Sequence, residues 1–237
     1  MNERKKIEYP GYKSSFGTIY SNIPYRVCAH WLAAIIYKFP ITPNQVSVFA
    51  MILSFLGSFI FSFQDYNKNI IGIIFINLFC VLACTDGLIA RLQNKSSILG
   101  AYINHVTEKF SYFSIFLGII LNVAKINPPP YNLNVYIIGI ILIFARMVTY
   151  DIEIKIFMLS KEIDKYKNDS YDIINSNFKP NFFYRAFTFN NTNFLAILTI
   201  GTILDQVYHT FIFLTVYSVL FCLAVVLKFG FTFQNNS

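Results

Sequence analysis

Charge is scarce in this sequence. Only 13% of its 237 residues are Asp, Glu, Lys or Arg, while 55% are hydrophobic; a soluble domain of ordinary composition carries about a quarter charged residues. With a mean hydropathy of +0.51, that deficit argues against a soluble domain and for a membrane protein. Other absences narrow the class further. The basic opening MNERKKIEYPGYKSS leads into no apolar run, so no cleaved signal peptide is expected. The four cysteines, Cys28, Cys80, Cys84 and Cys222, fall in apolar or interfacial stretches, and their spacing suggests no disulfide frame. Cys80 and Cys84 stand one helical turn apart, which could suit a metal, but small apolar side chains between helices explain them more simply. The chain shows no internal repeat, no second domain and no nucleic-acid-reading motif. Its net charge of +7 is therefore assigned to topology and anionic headgroups, and no nucleic-acid partner is expected.

What is present is a series of apolar runs. A bilayer core about 30 Å thick needs about 20 apolar residues per helix. Runs of that order occupy Thr42–Phe63, Asn69–Ala90, Ile98–Val123, Asn134–Ile152, Thr192–Tyr208 and Thr210–Phe229. The expected fold is thus an all-α integral membrane protein of six transmembrane helices. The fifth run is short, and Asp205 near its end pins it at a membrane surface. Residues 24–39 are apolar on one side and interrupted by Arg26, His30 and Lys38, which predicts an interfacial amphipathic helix before the first span. Residues 1–22 read as a cytoplasmic tail and 23–237 as a single membrane domain. With the N-terminus inside, the outer loops hold only Lys68 and Lys125 of the nineteen basic residues. That asymmetry sets the orientation, and it places the Pro-rich turn NPPPYN, residues 127–132, outside.

The same orientation puts TDGLIARLQNKSSILGAYINHVTEK, residues 85–109, at the cytoplasmic face. It is polar, yet it lies between two spans and has helical spacing. Asp86 and Ala90 are four apart, as are Gly87 and Arg91, so each pair shares a face at the inner end of the second span. Gly100, Asn104 and Glu108 recur at intervals of four, which makes one stripe on a helix of about 3.6 residues per turn. Two helix ends would then present two carboxylates, an amide and a guanidinium to one cleft, with glycines that let a ligand approach the backbone. Ionisable residues at membrane depth are costly and usually functional. Oxygen ligands such as these suit a hard cation, which in turn suits phosphate. A helix cap with an Asp86–Arg91 ion pair at the headgroup level is the plainer alternative.

The arrangement Asp86-Gly87-x-x-Ala90-Arg91, eight residues, Gly100, three residues, Asn104, three residues, Glu108 resembles the signature of the CDP-alcohol phosphotransferase (phosphatidyltransferase) family. That signature reads D-x-x-D-G-x-x-A-R, about eight residues, then G-x-x-x-D-x-x-x-D. The ITPNQVS segment, Ile41 to Ser47, and six spans with both ends in the cytoplasm are similar to the family as well. The departures are specific: the family's first acidic position is Ala83 here, its third is Asn104 and its fourth is Glu108. The resemblance implies that Asp86, Asn104 and Glu108 hold a divalent metal, Mg2+ or Mn2+, with fewer anionic ligands than the family's usual four. It further implies that Gly87, Ala90, Arg91 and Gly100 bind substrate. The reaction it implies moves a substituted phosphate from a CDP-alcohol to an acceptor alcohol with release of CMP, Asp86 and Glu108 being catalytic and Glu108 the base. Glu is one methylene longer than Asp, which offsets its carboxylate by about 1.5 Å.

Arg146, in LIFARMVTY of the fourth span, is a candidate for a second phosphate or an acidic acceptor; snorkelling to the inner surface is the alternative. Asn77 in mid-span two is expected to hydrogen-bond a neighbouring helix. Expected partners are the CDP-alcohol donor, the acceptor alcohol and membrane lipid, with a homodimer as a further candidate. Two other functions stay open. One is a weak or inactive relative that binds CDP-lipid or pairs with an active subunit, favoured by Ala83 and Asn104. The other is a small transporter, disfavoured because the outer halves of spans two to four hold little polar beyond Asn77 and Asn122.

Overall fold

The computed structural model describes residues 19–95, 97–125, 133–145 and 191–234. These residues form seven helices and no strand: α1 (Ile19–Ile36), α2 (Pro43–Phe61), α3 (Tyr66–Leu92), α4 (Ile98–Ala124), α5 (Leu133–Ala145), α6 (Asn191–Ile203) and α7 (Val207–Gln234). Stretches in α2, α3, α4 and α7 are long and apolar enough to cross a membrane, while α5 and α6 are shorter apolar helices. The N-terminal tail up to residue 18, the NPPPYN turn, Arg146 and the connection over 155–190 lie outside the described residues.

The helix starts follow local chemistry. Thr42 caps α2: its Oγ1 accepts from Gln45 N, and its own backbone N–H donates to Gln45 Oε1 at 2.9 Å, with Pro43 opening the first turn. Asp65 caps α3 through Lys68 N at 3.0 Å, and Ser97 caps α4 through Gly100 N at 3.0 Å. The tight turns each carry one residue at positive φ, Gln64, Asn94 and Asp205. At Asp205 the chain closes with Gln206 N donating to Gly201 O at 2.8 Å. This corrects the boundary between the fifth and sixth runs: α6 ends at Ile203, and Tyr208 already belongs to α7. The apolar run continues across the turn, so hydropathy alone placed the break too late.

In the packing, α2 lies against both α3 and α4, and α1 lies against α3 and α6. Small residues set the approach. A Cβ added at Gly57 would stand 2.9 Å from Gly72 O, and one at Gly118 would stand 2.6 Å from Ser58 O, so these helices touch backbone to backbone. Buried hydroxyls return their hydrogen bonds to their own helix, as Ser58 Oγ does to Ser54 O at 2.6 Å and Thr85 Oγ1 to Val81 O at 2.7 Å. Phe49, Phe59, Phe113 and Phe144 point outward, as expected of a surface that faces lipid tails.

A polar network closes the end where α2 finishes. Asn122 Nδ2 donates to Phe61 O and to Asn69 Oδ1, and Lys125 Nζ donates to Ser62 O at 2.6 Å. Tyr66 Oη donates to Ile203 O at 3.3 Å at the same end. The polar stretch of 85–109 is at the other. Between the two, Asn77 bonds Thr199 of α6 at 3.0 Å and accepts from Tyr25 Oη of α1. The expected inter-helix role of Asn77 is met, and it draws α1 against two helices of the bundle.

Candidate active site

The site forms where α2 starts, α3 ends, α4 starts and α6 starts. Asp86 lies on the last turns of α3 and is only 3% exposed. Ser47, one turn into α2, donates from Oγ to Asp86 Oδ2 at 2.5 Å, and the Gly87 backbone N–H donates to Oδ1. Each carboxylate oxygen keeps a lone pair for a further partner. Gln93 Nε2 ties the end of α3 to Ile41 O at 3.0 Å, which fixes the ITPNQVS segment beside the DGxxAR turn. Asn94 at φ 54 and the Lys95 N to Ala90 O bond then reverse the chain into α4.

Arg91 is exposed. Its Nη1 would be 3.6 Å from a Cβ added at Gly87, and nothing but that guanidinium comes within 4 Å. The space over Gly87 is therefore open apart from Arg91. Among the described residues the direct partners of Asp86 are Ser47 and Gly87, and Arg91 acts on it only as a nearby positive charge. Gly100 differs from Gly87. A Cβ there would meet Ser97 Oγ at 3.1 Å and Asn44 Oδ1 at 3.4 Å, so the N-cap of α4 and the contact with α2 leave little room over it.

Glu108 is half-buried, and Asn191 Nδ2 of α6 donates to its Oε1 at 2.7 Å. Cys84, two residues before Asp86, lies within electrostatic reach of Arg26, Glu108 and Asp86. Burial first, then the Arg26 and Arg91 guanidinium groups, lower the pKa of His30 on α1 from its ordinary value. Helix α1 thus adds one positive charge, Arg26, near Arg91 and Cys84. Asn104, on the Gly100–Glu108 stripe, is half-buried, and its backbone carbonyl accepts from Thr107 Oγ1 at 3.0 Å. Among the described residues no group of three or more His, Cys, Asp or Glu is arranged to hold a metal.

Ser47, Asn44 and Asn191 were not singled out by the pattern of residues. Ser47 and Asn44 lie within ITPNQVS, so a signal was present there. Asn191 is one of three asparagines, with Asn190 and Asn193, before an apolar run, and nothing in their spacing set it apart.

A polytopic helical protein that keeps Asp86 buried and Glu108 half-buried within its apolar helices is a membrane protein with ionisable side chains set inside its bundle. The sequence profile of the CDP-alcohol phosphatidyltransferase family matches residues 40–229, and the chain belongs to that family. It is 33% identical over 81 residues to the archaetidylinositol phosphate synthase of Pyrococcus horikoshii, a match covering 34% of this chain and 42% of that protein. The matched segment thus spans about two-fifths of that relative's length. The fold is similar to the crystal structure of Mycobacterium tuberculosis phosphatidylinositol phosphate synthase (PgsA1) in apo form. The TM-score is 0.57 at 16% identity, covering 82% of this chain and 92% of that one.

Proposed function

We propose that this protein is a membrane-embedded transferase that moves a substituted phosphate from a CDP-alcohol, such as CDP-diacylglycerol, to an acceptor alcohol and releases CMP. The reading places it in phospholipid or related glycolipid biosynthesis, with the cleft facing the cytoplasm. The observation that carries it is the family match over residues 40–229; the anchoring of Asp86 by Ser47 and Gly87 and of Glu108 by Asn191 supports it.

The donor's pyrophosphate would enter over Gly87, where the backbone is open and Arg91 supplies charge. Glu108 is the base that takes the proton from the attacking hydroxyl, and its contact with Asn191 limits where that carboxylate can stand. The all-oxygen donor set of Asp86, Asn104 and Glu108 fits a hard divalent cation, and these three would hold Mg2+ or Mn2+. Such an ion, when bound, neutralises charge on the phosphates as CMP leaves. With two carboxylates in place of the family's four acids, we expect one ion held by the protein, any second depending on substrate phosphates. Arg146, outside the described residues, is kept as a candidate for the acceptor side. A homodimer is likewise proposed and awaits a measurement of mass in detergent.

The two relatives named above make inositol phosphate lipids by their names, so an inositol phosphate is the first acceptor to try. The test is CMP release by purified protein from several CDP-alcohols, with and without Mg2+ or Mn2+. Release that depends on donor, acceptor and metal supports the reading. No release with any donor refutes it and favours the binding relative, the alternative to which Ala83 and Asn104 point.

A further inference from the structure

The side chain that reaches Glu108 comes from a distant part of the chain. Asn191 is the first residue of α6, and its bond to Glu108 joins positions 83 residues apart. Its placement depends on more than that bond. Phe194, three residues on, is 1% exposed, and its ring centroid stands 5.0 Å from that of Phe116 and 6.4 Å from that of Tyr112. Tyr112 also meets Phe79 of α3 edge-on at 5.6 Å. Glu108, Tyr112 and Phe116 are spaced by four and so share one stripe of α4. Asn191, Phe194 and Leu198 share one stripe of α6 by the same periodicity. The seating of α6 on α3, α1 and α7, together with the aromatic contacts to α4, sets the height at which the amide falls on the carboxylate.

We propose that Asn191 is a positioning residue for Glu108. The inference rests on the transferase reading, in which Glu108 takes the acceptor's proton. A glutamate has one more rotatable bond than the aspartate of the family signature, so its carboxylate has more positions to leave. An amide bonded to one carboxylate oxygen removes that freedom without contributing a proton or a charge. Displacing a reacting group by about 1 Å can cost about a hundredfold in rate. The loss should therefore fall on kcat rather than on donor binding.

The experiment measures CMP release and thermal unfolding for the full-length wild type and for Asn191→Leu, Asn191→Asp and Asn191→Gln. Leu removes the donor, Asp removes it at constant volume, and Gln keeps an amide. The expected result is a fall in kcat of about tenfold to a hundredfold for Leu and Asp. Donor KM should stay within a fewfold, the unfolding midpoint should be little changed, and Gln should recover much of the rate. If Leu fails to fold, Asp carries the test. Unchanged kcat in the Leu or Asp variant overturns the proposal. So does an equal loss of kcat, donor affinity and thermal stability in all three variants, because that pattern marks a merely structural contact. A wild type that releases no CMP from any donor overturns the transferase reading, and this inference with it. Wild-type turnover with an indifferent Asn191 overturns the inference alone.

Discussion

Replacing Ser47 with alanine tests the site through a single bond. Ser47 is 4% exposed and Asp86 is 3% exposed, and they meet at 2.5 Å. The hydroxyl is thus one of two groups seen to satisfy a carboxylate that water scarcely reaches. A hydrogen bond to a charged group contributes about 1.5–3 kcal/mol, and an acceptor left without its donor in a buried place costs at least as much. In a protein of this size each kcal/mol moves the unfolding midpoint by about 2–4 °C. Ser47→Ala should therefore lower the midpoint by about 3–12 °C in detergent, read by fluorescence-detected melting. Ser54→Ala is the control. Its hydroxyl is as buried but donates to the backbone carbonyl of Met51 at 2.7 Å, a neutral bond that contributes about 1 kcal/mol. Ser47→Thr keeps the hydroxyl and should melt close to wild type. Because Asp86 would then be free to turn away, Ser47→Ala should also weaken Mg2+ binding measured by titration calorimetry. If Ser47→Ala melts with the wild type, or no lower than Ser54→Ala, the bond is not holding Asp86 and the reasoning fails.

The other predictions concern chemistry, packing and orientation. Glu108→Gln should nearly abolish CMP release and leave CDP-alcohol binding largely intact, whereas Asp86→Asn should weaken metal binding and turnover together; turnover that survives Glu108→Gln would remove Glu108 from the role of base. Gly118→Val drives a side chain onto the Ser58 carbonyl, where even a Cβ stands at 2.6 Å, so it should destabilise by about 1–3 kcal/mol or more. Gly87→Ala meets only Arg91 at 3.6 Å and should fold normally while raising donor KM; equal melting losses for these two glycines would contradict the packing. In a cysteine-free background, a single cysteine at Lys68 should react with an impermeant maleimide from outside intact cells and one at Asn94 should not. The reverse pattern would move the cleft to the other side of the membrane.

Much of this protein is local in origin and therefore legible in the chain. Scarce charge and apolar runs determined a helical membrane protein, because each span must satisfy its own backbone bonds and needs no partner to do so. The i, i+4 spacing of Asp86, Ala90 and Arg91, and of Gly100, Asn104 and Glu108, determined which residues share a face before any packing was known. The break at Asp205 was less legible, since it depends on one residue at positive φ inside an unbroken apolar run. What the tertiary structure alone decided is which distant side chains complete the cleft. Ser47 reaches Asp86 because glycines at 57, 72 and 118 let three helices touch. Asn191 reaches Glu108 because α6 packs on α3, α1 and α7 with Phe194 against Tyr112 and Phe116. Those pairings join residues 39 and 83 positions apart, and no periodicity along one helix can encode the register of another.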